Sequence, residues 1–87
     1  MVNMDDIKIY RQQLEEIEDE NSLEQKVEGL KKFSQSLRNY LYDNDLTDSQ
    51  YAREFIDMYD SRRYSYEEEK MIEDARSILD DLEDKAQ

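Results

Sequence analysis

Apolar residues along this chain recur at steps of three and four, the spacing that gathers them on one face of an α-helix. Ile7, Tyr10, Leu14 and Ile17 make the first stripe, and it predicts a helix over about 4–19. Asn3 precedes it as a candidate N-cap, and Asp5 and Asp6 fall in the first turn, where the helix dipole favours negative charge. Leu23, Val27, Leu30, Phe33, Leu37, Tyr40 and Leu41 make the second stripe, which predicts a helix over about 23–42. Ser22-Leu23-Glu24-Gln25 opens it with the pattern of a capping box. This is the longest segment, about 30 Å at the usual rise, and the expected spine of the fold. Gly29 lies inside it, where glycine costs about 1 kcal/mol relative to alanine. The expected reason is close approach by another helix.

The stretch Tyr42-Asp43-Asn44-Asp45 reads as a turn by composition. Thr47-Asp48-Ser49-Gln50 has the pattern of a second capping box, with Leu46 and Tyr51 placed as a hydrophobic staple. A third helix is expected over about 48–60, with Tyr51, Phe55, Met58 and Tyr59 facing inward. After Ser61-Arg62-Arg63-Tyr64, the run Ser65-Tyr66-Glu67-Glu68 suggests a third box and a helix over about 66–83. Its stripe is Met71, Ala75, Ile78, Leu79 and Leu82, and the residues from Glu83 onward are expected to fray. No strand-like alternation of useful length occurs. Four amphipathic helices joined by short links predict one all-α domain, an antiparallel up-and-down four-helix bundle.

Composition narrows the chemistry. With 87 residues the core is small. Zero Cys and zero His remove disulfides, most zinc and iron–sulfur sites, and the commonest general base. No stretch approaches the roughly 18 apolar residues of a membrane span, and the N-terminus lacks the features of a secretory signal. A cytoplasmic location is expected, with no membrane insertion. Twenty-four acids against 12 bases give a net charge of −12. That surface repels nucleic-acid backbones, so no direct nucleic-acid contact is expected. The acidity is uneven. Residues 1–22 carry net −5 and residues 64–87 net −6, whereas residues 23–46 are neutral.

Three constellations bear on function. The carboxylates Glu15, Glu16 and Asp19, and Glu67, Glu68, Glu69 and Glu73, could in principle do acid–base work, but such acids ordinarily coat a solvated helix face. With no phosphate loop and no Glu-x-x-His pair, the chain is not expected to be an enzyme, and no cofactor or metal is implied. Asp43, Asp45, Thr47, Ser49 and Glu54 fall at EF-hand-like spacing, but Asp48 stands where that loop's sharp turn requires glycine. A helix cap accounts for the same residues with fewer demands. The third constellation is aromatic. Six tyrosines between Tyr40 and Tyr66 surround the third helix, and Arg62 and Arg63 lie among them. Tyrosine and arginine suit recognition surfaces. The candidate partner-binding residues are therefore Tyr42, Tyr59, Arg62, Arg63, Tyr64 and Tyr66.

The run from Ser36 to Leu79, with its Leu37, Tyr40, Leu41, Tyr42 stretch, short turn, third helix, polar link and fourth helix, resembles the enterocin A immunity type of bacteriocin immunity protein. The likeness spans about residues 23–82. It implies a small cytosolic bundle that protects a cell from a pore-forming peptide bacteriocin at the inner face of the membrane. The implied partner is a protein, the membrane sugar transporter that serves as the bacteriocin's receptor. Specificity would reside near Tyr59 through Met71. The chain departs from many relatives in its acidity and its short C-terminal tail, which counts against direct contact with an anionic membrane. Two other readings follow from charge and helicity alone. One is an acidic nucleic-acid mimic that inhibits a DNA-binding protein. The other is a small regulatory or assembly module, a monomer or weak dimer.

Overall fold

The computed structural model describes residues 2–86. Four α-helices run in chain order: α1, Met4–Asp19; α2, Leu23–Asp43; α3, Gln50–Asp60; and α4, Glu68–Ala86, with a 3₁₀ turn at Arg63–Ser65 between the last two. There is no strand among the described residues. Each helix packs on the next, and α4 closes back on α1. Arg11 bonds Asp80 and Glu83 near the end of α4, whereas Glu18 meets Arg76 nearer its start, so these two helices run antiparallel. The result is the up-and-down four-helix bundle.

The stripes become the core. Ile7, Tyr10, Leu14 and Ile17 from α1 meet Leu30, Phe33, Leu37 and Leu41 from α2, and Met71, Ala75, Ile78, Leu79 and Leu82 from α4. Fully burying one such side chain stabilises the fold by about 1.5–3 kcal/mol. Tyr10 packs edge-on to Phe33 and Tyr40, and its hydroxyl reaches Ser36 on α2. Gly29 lies against α1, where an added Cβ would stand 3.3 Å from Ile17 Cγ1. Close helix approach is thus the reason for the glycine.

The helix ends correct several expectations. Asn3 caps α1 by accepting from the Asp5 N–H at 2.7 Å, and Ser22 caps α2 by accepting from the Gln25 N–H at 3.4 Å. The Ser22 box is half formed, because the Ser22 N–H donates to Glu20 and not to Gln25. The cap of α3 is Ser49, which accepts from the Ala52 N–H at 3.0 Å; Thr47 does not cap, and the helix starts at Gln50. Ser65 does not cap α4 either. It ends the 3₁₀ turn, and α4 begins at Glu68. That helix also continues to Ala86, past the expected end.

The α2–α3 turn explains the shift at Thr47. Asp45 adopts a left-handed backbone with φ 59°. The Leu46 N–H donates to the Leu41 carbonyl at 2.8 Å, and the Asp45 N–H to the Tyr42 carbonyl at 3.2 Å. These two bonds make a Schellman closure, with Leu46 packing back on the core. Leu46 is consumed in ending α2, so it does not staple the start of α3. Tyr51 is 44% exposed, and Ala52 and Ile56 join Phe55 and Met58 on the buried face instead.

Candidate functional site

α3 has 11 residues and α2 has 21. So short a helix cannot carry the chain to the far end of the bundle. The Arg63–Ser65 turn therefore packs against α2, α3 and α4 together. This brings the end of α3 beside the last turns of α2. Arg38 Nε donates to Asp60 Oδ1 at 2.9 Å, and the same guanidinium sits 4.9 Å from the centre of the Tyr42 ring. Arg38 thus ties Tyr42 on α2 to the C-terminus of α3. A cation over a tyrosine face at an exposed site contributes about 0.5–1 kcal/mol. Tyr59 and Tyr64 lie together across the connection, ring centres 5.9 Å apart and tilted by 34°.

Of the six candidate residues, Tyr59 and Tyr64 are brought into contact, and Tyr42 joins their neighbourhood through Arg38 and Asp60. Tyr59 and Tyr64 are half-buried, packed against the core, while the Tyr42 ring stays 52% exposed. Arg63 turns to the cleft between α3 and α4, where Asp57 and Glu67 stand 3.9 and 3.6 Å from its guanidinium. Tyr66, 69% exposed, borders the acidic first turns of α4 beside Glu67, Glu69 and Glu73. It touches none of the other five rings or guanidinium groups. Arg62 is exposed, makes no ion pair among the described residues, and holds a left-handed backbone with φ 59°. Its N–H closes α3 by donating to the Tyr59 carbonyl at 3.0 Å.

Two residues of this region escaped the list of candidates. Arg38 stands four positions before Tyr42 on one helix face, the spacing at which a cation reaches a ring. Asp74 is the second. Its residue is 1% exposed on α4. It lies three residues after Met71 and four before Ile78, directly on the apolar stripe. The Lys70 ammonium donates to Asp74 Oδ1 at 3.0 Å and stands 3.7 Å from Glu54 on α3. Asp74 Oδ2 is buried with no hydrogen-bond partner. Burial pushes the Asp74 carboxyl above the usual aspartate range; the bond from Lys70 draws it down, and the charge of Glu54 pushes it up again. A hydrogen bond from Gln50 holds Glu54 below its usual value, and Lys70 adds to that.

The carboxylates singled out by sequence fall in two separate groups: Glu67, Glu68, Glu69 and Glu73 line one open depression with Tyr66 and Lys70, and Glu15, Glu16 and Asp19 lie on α1. Glu15, Glu16, Asp19, Glu69 and Glu73 are exposed. No group of three or more acids among the described residues could hold a metal ion. Lys31 and Lys32 are exposed and form no ion pair among the described residues. No helix of the described residues is long and apolar enough to cross a membrane. No model of a known protein family matches the chain, and no curated protein or solved structure does.

Proposed function

We propose that this chain is a non-catalytic binding bundle, and that its function is bacteriocin immunity exerted on a protein partner at the inner face of the membrane. The observation that supports this most is the surface where α2, α3 and the Arg63–Ser65 turn meet. Tyr42 is held in place by Arg38, Tyr59 and Tyr64 pack on each other, and Arg62, between those two in sequence, is exposed and makes no ion pair among the described residues. Anchored aromatic rings lose little freedom on binding, and an unpaired guanidinium has no internal bond to break first. The immunity role adds the resemblance over residues 23–82. The partner implied is the membrane receptor with its bound bacteriocin.

The test is expression in bacteriocin-sensitive cells challenged with a panel of pore-forming peptides. Protection against at least one peptide is expected. Combined replacement of Tyr42, Arg62 and Tyr66 by alanine should abolish it while the purified variant keeps its helical circular dichroism. Expression of folded protein without protection against any peptide would overturn the immunity role.

A further inference from the structure

Among the described residues Asp74 is the one acid buried in the core, and nothing in the proposed binding role uses it. An ionised carboxylate in this position loses hydration at both oxygens and regains a partner at one of them, since Oδ2 has none. Charged groups approach it from the elements packed around it. From α3, Glu54 presents a second negative charge, with Asp57 further along the same cleft. On α4 itself, Lys70 is the one cation bonded to it among the described residues, and it divides its charge between Asp74 and Glu54. From the 3₁₀ turn, Arg63 is engaged by Asp57 and Glu67. From α1, Arg11 and Glu18 are engaged by Asp80, Glu83 and Arg76. One half-exposed ammonium therefore serves two carboxylates, one of them buried.

We propose that the α3–α4 interface is a proton-sensitive clasp, in which the packing of α3 on α4 is tightest with the Asp74 carboxyl neutral and loosens when its proton is lost. The neutral acid removes the repulsion from Glu54 and leaves Lys70 to that residue alone. The direction of the shift at Asp74 agrees with this geometry. For a carboxyl whose proton is held more tightly when folded, the native state binds more protons than the unfolded chain between the two midpoints. Its contribution to stability is then fullest at low pH and declines as pH rises from about 3.9, the ordinary aspartate midpoint, through the folded midpoint. Twenty-four acids share this chain, so a pH profile of the wild type alone does not isolate Asp74. The clasp is therefore read as a difference between variants.

Thermal unfolding of the wild type and of Asp74→Asn between pH 4 and pH 8 makes the test. The asparagine cannot ionise. It should raise the melting temperature by about 4–8 °C at pH 8, with the gain vanishing toward pH 4. A gain that does not change with pH, or a loss at pH 8 larger than at pH 4, would overturn the clasp. Titration of the Asp74 carboxyl carbon by NMR in the wild type provides a reading that needs no variant. A midpoint above about 3.9 that falls in Glu54→Gln supports the proposal, and a midpoint at or below that value refutes it.

Discussion

Arg62 occupies a conformation that left-handed geometry makes costly for any residue with a Cβ, by about 1–2 kcal/mol. Helices end in that conformation most easily on glycine, and this chain's one glycine is committed to the α1–α2 contact. Arg62→Gly should therefore stabilise the bundle by about 1 kcal/mol, visible as a rise in denaturation midpoint at unchanged slope. If the proposed function is right, the same change should weaken protection. A stabler protein that protects less would mean that the guanidinium, not the turn, is what the position is kept for. Sequence made Arg62 a candidate through its aromatic neighbours but could not reveal its backbone. Asp74 was missed altogether. Its place on the Met71–Ile78 stripe marks it for burial, as Ser34 is marked between Leu30 and Leu37, yet the rule that acids stay outside argued against reading it so.

At the scale of elements, the helices themselves were readable because the apolar spacing is regular and nothing in the chain competes with it. The bounds of α1, Met4–Asp19, are those expected. The ends around α3 and α4 were not, because serine and threonine recur at spacings that offer several overlapping caps. In Thr47-Asp48-Ser49-Gln50 either hydroxyl could begin a helix. The choice was made by the Schellman closure at Asp45 and Leu46, a three-dimensional feature that delays the restart of the helix to Gln50. Once the start moves, the buried face rotates. Phe55 stays inside, Tyr51 lies outside, and the small Ala52 is buried. Substitution separates the two caps. Ser49→Ala should destabilise by about 1 kcal/mol, because the Ala52 N–H loses its acceptor. Thr47→Ala should stay within about 0.5 kcal/mol of wild type. Equal losses at both positions, measured by urea unfolding, would mean that the helix starts where the sequence pattern alone puts it.

For the whole molecule the deciding quantity is charge. The segments holding α1 and α4 carry net −5 and −6, and they lie side by side. Arg11 and Arg76 cross between them, engaging Asp80, Glu83 and Glu18. Each exposed pair contributes only about 0.2–1 kcal/mol, and salt weakens it. The repulsion among the remaining acids is spread over two neighbouring helices, and salt weakens that too, since the screening length falls from about 30 Å at 0.01 M to about 8 Å at 0.15 M. Few pairs oppose many like charges, and the like charges act over longer distances, where screening removes the larger share. Repulsion should therefore lose more than attraction does. The melting temperature is expected to rise between 10 mM and 200 mM sodium chloride at pH 7.5, and most of the rise should come at the low end of that range. Arg76→Gln should steepen this dependence, because it leaves Glu18 facing α4 without its cation. A melting temperature that falls with salt would mean that the cross-helix pairs outweigh the net charge, and that the acidic faces of α1 and α4 hold the bundle together instead of straining it.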